Sequence, residues 1–482
     1  SGFAAYLPPY RVDLEDWCAW TQSPWEKTRS VVGHGFRMRG PDQSMYTMAA
    51  TSAMRLIEQY DIDPRRVGYL ALGTESSTDN SAGAVIVKGM LDEALRAKGL
   101  PAINRYCEVP EVKHACLGGV YAMKGALRYL ALEPDDSCAL VISADIAEYE
   151  RGSSGESTQG AAAVSMLLEK NPQLLEVALM QIGSASAYRG IDFRKPMLRQ
   201  IIRKDSLNGH HQDHPIFNGK YSTSCYLDET LHALSDMFRK MRRSAAHYYH
   251  DLEAVFMHRP YHRIPLTAFA LSYLFALSQD AGASEAELER YCRAANLNMP
   301  AVINEMKAAP ELFALVQSGN LTTEVYPLSM ELLRSFRGSD AFEEIVASKT
   351  GLGSELMKEV GNAYSAALPA WIAAGLEQAL QEGRPLAGRN ILATGYGSGD
   401  AAEAIPMQVV DGWETAASKI QMARALEPAQ NLTREQYQDL HDTGYCKGLV
   451  ATPSREFVVN AIGSSVHPGY ADQGVEYYRY VG

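Results

Sequence analysis

Two short runs carry side chains suited to demanding chemistry. In Gly73-Thr-Glu-Ser-Ser-Thr-Asp79, Glu75 follows an apolar segment, Val67–Leu72, that reads as a buried strand. In Lys113-His-Ala-Cys-Leu-Gly-Gly119, Cys116 precedes a small-residue stretch with helical spacing. A carboxylate can take a proton from carbon, and a thiolate can hold an acyl group. The pair points to carbon–carbon bond formation on thioesters rather than simple hydrolysis. A thiol at a helix start is expected to feel the helix dipole and to ionise more easily. Glu75, fixed inside a cleft and partly buried, is expected to become a better base. A lone cysteine is more often a packing residue, and the other six cysteines keep that reading.

His258 and Asn362 supply context. His258 ends an apolar strand in Val255-Phe-Met-His-Arg-Pro-Tyr-His262, where open α/β sheets place site residues. A histidine there can donate to a carbonyl oxygen and stabilise developing negative charge. Asn362, in Glu359-Val-Gly-Asn-Ala-Tyr-Ser-Ala-Ala, stands at a predicted helix start where capping alone would explain it. Cys, His and Asn in this order match the nucleophile and donor set of thioester-condensing enzymes. Gly395-Tyr-Gly-Ser-Gly399 lacks the third glycine of a dinucleotide fingerprint. It fits a close backbone approach to a thin ligand arm, with Ser398 donating. His210, His211, Asp213 and His214 crowd one polar loop at a spacing unsuited to a tetrahedral site, so no metal is expected. Arg239, Lys240, Arg242 and Arg243 read either as a solvated helix face or as a dock for coenzyme phosphates or an acidic carrier protein.

The elements that must hold these residues alternate between buried-looking strands and helices. Val67–Leu72, Cys138–Ser143, Ala161–Leu168 and Leu175–Ile182 read as strands, with helical patterns over Ser81–Arg96 and Gly118–Leu130. The order returns with Ala254–Met257, a helix over Met357–Glu377, and Asn390–Thr394, closed by a pair formed from Ala402–Val410 and Glu456–Val459. Two related α/β halves are therefore expected, 1–185 and 186–482, with a helical insertion at about 265–350. The chain's 482 residues are 46% hydrophobic and 21% charged, which suits a folded protein with a large core. A net charge of −12 disfavours nucleic acid as a partner. Seven cysteines without CxxC spacing favour a reducing compartment over a disulfide framework. No apolar run is long enough to span a membrane and no secretory signal is visible, so a cytoplasmic protein is expected.

With these residues assembled, the chain resembles the 3-hydroxy-3-methylglutaryl-CoA synthase family of the thiolase superfamily. The likeness rests on Val67-Gly-Tyr-Leu-Ala-Leu-Gly-Thr-Glu-Ser-Ser-Thr-Asp79, Ala115-Cys-Leu-Gly-Gly119, Asp145-Ile-Ala-Glu-Tyr149 and Ser157-Thr-Gln-Gly-Ala161. It continues through Asn218-Gly-Lys-Tyr-Ser222, Phe256-Met-His-Arg-Pro-Tyr261, Gly361-Asn-Ala-Tyr364 and Tyr396-Gly-Ser-Gly399. The resemblance implies a five-layered α–β–α–β–α fold and a homodimer. It implies that Cys116 accepts an acetyl group, Glu75 deprotonates its methyl, and His258 polarises an acetoacetyl thioester. Tyr149, Thr158, Ser222, Asn362 and Ser398 would line the substrate and pantetheine pocket, with Arg263 near the coenzyme. Coenzyme A thioesters would be substrates, with no further cofactor, in the mevalonate route of isoprenoid biosynthesis.

Some positions depart from the family pattern. Asp79-Asn-Ser-Ala82 replaces the usual Asp-Lys-Ser-Lys, and Phe217-Asn-Gly219 replaces Val-Asp-Gly. Three alternatives stay open: a polyketide β-branching synthase working on a carrier-bound β-keto chain, a ketoacyl-synthase-like Claisen enzyme, and a catalytically silent scaffold.

Overall fold

Val67–Gly73 (β2) is apolar because both its faces are covered, and it is buried along almost its whole length. It lies parallel to Glu111–Val112 (β3) and Cys138–Ala147 (β4). Gly160–Glu169 (β5) pairs antiparallel to β4, and Gly2–Tyr6 (β1) antiparallel to β5, giving the order β1-β5-β4-β2-β3. In the computed structural model the described residues are 1–134, 136–194, 215–216, 218–308, 310–320, 324–449 and 452–482. The predicted loop 205–213 and its neighbour His214 lie outside them.

A second sheet uses Leu175–Val177 (β6), Gly183–Ser186 (β7), Leu252–Met257 (β8), Asn390–Gly397 (β9) and Ala401–Val409 (β10). β8 runs parallel to β9, β9 antiparallel to β10, and β10 antiparallel to both β6 and β7. The chain thus enters the second sheet at Leu175, ahead of the expected boundary at 185, because the short β6 and β7 complete the edge of β10. The predicted pairing of 402–410 with 456–459 does not form. Glu456–Ile462 instead pairs with Glu476–Val481 as a separate hairpin.

The helices make the remaining three layers. Met45–Gln59 (α1) and Gly83–Ala97 (α2) cover the outer face of the first sheet. Gly118–Leu132 (α3) and Ala367–Gln381 (α6) lie between the sheets, and α6 touches strands of both. Lys220–Met241 (α4) covers the second sheet from outside. This is the expected α–β–α–β–α stack. Arg263–Leu277 (α5) is buried along nearly all its length because α4 and the insertion enclose it. The insertion is helical, with helices at Ala283–Ala294, Met299–Lys307, Leu312–Gln317 and Pro327–Phe336. No helix among the described residues is long and apolar enough to cross a membrane.

The predicted helix over 357–377 is broken. Its first part ends at Met357, Gly361 pairs with Gly160 of β5 as an isolated bridge, and α6 starts only at Ala367. That interruption carries Asn362 to the first half.

Candidate active site

Glu75 comes near enough for its charge to act on Cys116 because two backbones touch. A Cβ on Gly73 would collide with the main chain of Gly119, so the end of β2 and the start of α3 can approach this closely only as glycines. Cys116 sits in the turn before α3, preceded by Ala115 in the left-handed region at φ 41°. The turn carrying Glu75 is held by Asp145. One Asp145 oxygen accepts the Thr74 hydroxyl (2.9 Å), the Glu75 N–H (2.8 Å), and the Ser76 N–H (3.1 Å) and hydroxyl (2.8 Å). The other accepts the N–H of Ser365 (3.0 Å) and its hydroxyl.

Cys116 is not an activated thiolate at rest. Burial, followed by the charges of Glu75 and Asp145, pushes its thiol well above the ordinary cysteine range. This corrects the expectation that the helix dipole would dominate: dehydration and two nearby carboxylates outweigh partial charges at the helix end. The glutamate's charge also acts on Tyr149 and Tyr364, which pack with Cys116.

His258 continues the ladder of the second sheet, its N–H donating to Thr394 O at 2.7 Å. Its carbonyl accepts the Tyr226 hydroxyl at 2.7 Å, and its ring lies along Tyr396 with centroids 6.5 Å apart. Burial lowers its pKa to about 3, so the imidazole is neutral, and Nδ1 has no hydrogen-bond partner among the described residues. Asn362 both caps and reaches. Its Oδ1 accepts the Tyr364 N–H (3.0 Å), while its Nδ2 donates to the Tyr149 hydroxyl (3.2 Å).

One cavity of about 610 Å³ is lined by Cys116, Tyr149, Thr158, Ser222, His258, Asn362 and Ser398. Glu75 and Arg263 are not part of its wall. Glu75 is half-buried beside Cys116, and exposed Arg263 adjoins the lining residue Ile264. Residues that sequence reasoning missed include exposed Lys27 and Lys220 and buried Tyr226 and Tyr396, all on the wall. Tyr226 lies one helical turn beyond Ser222, a spacing that could have found it. Lys27 comes from a short helix far away in sequence and gave no signal. Gly397 is needed where β9 passes the cysteine turn, since a Cβ there would lie 2.6 Å from His114 O; the glycine-rich loop makes room for protein, not only for ligand.

Three of the four residues in the basic run have acidic partners. Arg239 and Lys240 pair with Asp236, and Arg243 pairs with Asp251. Ser222 stands near one end of α4 and Arg239 near the other, so about 26 Å of helix separates them.

The chain is similar to known proteins along most of its length. Residues 3–173 match the family described as Hydroxymethylglutaryl-coenzyme A synthase N terminal. The hydroxymethylglutaryl-CoA synthase of Haloferax volcanii is 25% identical over 428 residues, covering 87% of this chain and 85% of the relative. The solved structure of MvaS in complex with 3-hydroxy-3-methylglutaryl coenzyme A shares the fold at a TM-score of 0.76 and 23% identity, covering 100% of this chain and 98% of that one. The curacin-pathway HMG synthase in complex with holo donor-ACP aligns at a TM-score of 0.69 and 17% identity, covering 99% of this chain and 98% of that one.

Proposed function

We propose that the chain is a member of the hydroxymethylglutaryl-CoA synthase family and that it condenses an acetyl unit with an acetoacetyl thioester. Acetyl-CoA acylates Cys116: a C–S bond forms at Sγ, the coenzyme thiol leaves, and the cysteine proton departs with it. Because the resting thiol is held protonated, this transfer needs a base at the moment of attack. Glu75 then removes a proton from the S-acetyl methyl group. The resulting enolate carbon adds to the β-carbonyl of acetoacetyl thioester, and the new alkoxide takes up a proton. Water finally cleaves the link to Cys116 and releases a carboxylate.

His258 serves as a neutral donor toward the acceptor carbonyl, a role suited to a dehydrated imidazole. Asn362 and Tyr149 hold each other's polar atoms beside the cysteine. Thr158, Ser222 and Ser398 line the course of the pantetheine arm, and Lys27, Lys220 and Arg263 offer positive charge to its phosphates. This favours a coenzyme A thioester over a carrier-bound acceptor. The reading extends to a cytoplasmic homodimer in the mevalonate route.

The observation that carries the proposal is the joint exposure of Cys116 and His258 to one cavity, with the charge of Glu75 acting on the thiol. Incubation with acetyl-CoA followed by intact-mass measurement should give one acetyl adduct, absent from Cys116→Ala. Glu75→Gln should keep the adduct but lose about 10²–10⁴-fold in condensation rate, the usual contribution of a general base. Wild-type condensation by Glu75→Gln would refute the assignment.

A further inference from the structure

Behind Tyr396 lies a buried cluster that the reaction above does not use. Asp192, Asp228, Glu229 and Asp400 are each almost fully buried, with Arg189 and Cys225 among them. Arg189 reaches Asp228 and Glu229 at 2.6 Å each, and its Nε stands 3.6 Å from Asp400. Three of these carboxyl groups therefore face one guanidinium. The hydrogen bonds leave a place for another proton. The Tyr396 hydroxyl lies 3.2 Å from Asp192 Oδ2 and 2.9 Å from Asp400 Oδ1, yet it has only one proton to give. Among the described residues, Asp192 Oδ1 and Asp400 Oδ2 accept no hydrogen bond, and Arg189 Nε stands off the latter at 3.6 Å. Two bare carboxylates so placed would be prohibitively costly.

We propose that Asp192 and Asp400 act as one acid–carboxylate pair with a single proton between them, and that this pair is a positioning device for both walls of the cavity. On one side it fixes Tyr396, whose ring lies along His258. On the other it fixes the segment bearing Phe193, whose ring packs on Tyr149 at 5.9 Å and on Tyr364 at 6.3 Å, beside Cys116. The positioning role rests on the proposed reaction; the shared proton does not.

The groups around the pair set its titration. Arg189 faces it from its own loop, Cys225 and Tyr221 from α4, and Tyr396 from β9; Asp228 and Glu229 stand behind Arg189, and Cys116 feels the charge of Asp192. Burial, then the charge of Asp192, pushes Asp400 up to about 8. A carboxyl raised in the folded state gives stability that is complete below its unfolded pKa and is lost as pH rises through the folded one. The window here runs from the ordinary aspartate value of 3.8 to about 8.

Asp400→Asn keeps a hydrogen-bond donor beside Asp192 without a titrating proton, and Asp400→Ala removes both. Melting temperatures of wild type and Asp400→Asn should be measured from pH 5 to pH 9. The wild type should lose ground to the variant up to about pH 8 and then hold level. A gap that does not change with pH overturns the shared proton. So does one equivalent of tightly held metal in the purified protein, since a cation would replace the proton. Condensation supplies the second arm. Wild-type kcat should fall about tenfold per pH unit above pH 8. Asp400→Asn should lose that alkaline limb, and Asp400→Ala should lose at least about tenfold in kcat at pH 7, which Asn restores. If the wild type condenses but Asp400→Asn keeps the alkaline limb, the positioning role fails while the reaction stands. If the wild type forms no adduct, the reaction fails, and the positioning role with it, while the melting curves still decide the proton.

Discussion

Asp145 and Asp192 are both buried carboxyl groups whose charges reach Cys116, and they meet the cost of burial in opposite ways. Asp145 is surrounded by donors: three amides and three hydroxyls from residues 74–76 and 365 converge on its two oxygens. Burial still raises its pKa, while Ser365, Glu75 and Ser76 pull it back. Asp192 faces another acid instead. The first arrangement can hold a charge and act as a rigid anchor. The second holds a proton and changes when that proton leaves. Within one cavity, the half carrying the base is fixed by a carboxyl group rich in donors, and the half carrying His258 is braced by an acid pair short of them.

The strongest way to break this contrast is Asp145→Ala. It would orphan donors on two segments and release the turn that aims Glu75. A displacement near 1 Å costs roughly 10²-fold in rate, so condensation should fall about that far. Each unsatisfied buried donor costs about 1–3 kcal/mol, so denaturation should show a loss of several kcal/mol. Acetylation of Cys116 should suffer less than condensation, because only the second step needs Glu75. Equal losses in both steps would mean that Asp145 supports the whole pocket rather than the base.

The two acids also differ in how readily sequence reveals them. Asp145 belongs to a contiguous run that ends at Tyr149, and its partners Thr74, Glu75 and Ser76 are neighbours within another run, so local pattern nearly suffices. The buried strand Val67–Gly73 was legible for a related reason: cover on both faces leaves a continuous apolar stretch. Glu75, Cys116, His258 and Asn362 could be singled out because reactive types stood at the ends of strands and helices. What packing decides was not legible. The direction of the Cys116 shift depends on dehydration by Tyr149 and Tyr364, brought from distant segments. The Asp192–Asp400 pair joins positions more than two hundred residues apart, and its neighbours Cys225, Asp228 and Glu229 read as ordinary helix residues. The broken helix before α6 was missed because apolar periodicity cannot register a bridge to β5.

A milder change sharpens the second half of the contrast. The Tyr326 hydroxyl, from the helical insertion, donates to Asp228, which in turn holds Arg189. Tyr326→Phe should cost about 1.5–3 kcal/mol, the usual value for a hydrogen bond to a charged group. Rate at pH 7 should change by less than about threefold, because Arg189 keeps its contact with Glu229. The alkaline limb should move, since Asp228 would lose a donor and its charge would bear more fully on Arg189. A stable variant with an unmoved limb would disconnect the insertion from the acid pair.

The smallest expected effect separates charges on the cavity from charges far along the same helix. Lys220 begins α4 at the cavity, and Arg239 lies near its far end, exposed and paired with Asp236 one turn back. Exposed pairs of this kind contribute about 0–1 kcal/mol. Arg239→Ala should therefore leave the Michaelis constant for acetyl-CoA within about twofold and stability within about 0.5 kcal/mol. Lys220→Ala should raise that constant severalfold, and less so at high salt, since screening already weakens a charge at the opening. The reverse pattern, with Arg239 mattering and Lys220 silent, would move coenzyme recognition to the outer end of α4 and reopen the basic run as a docking face.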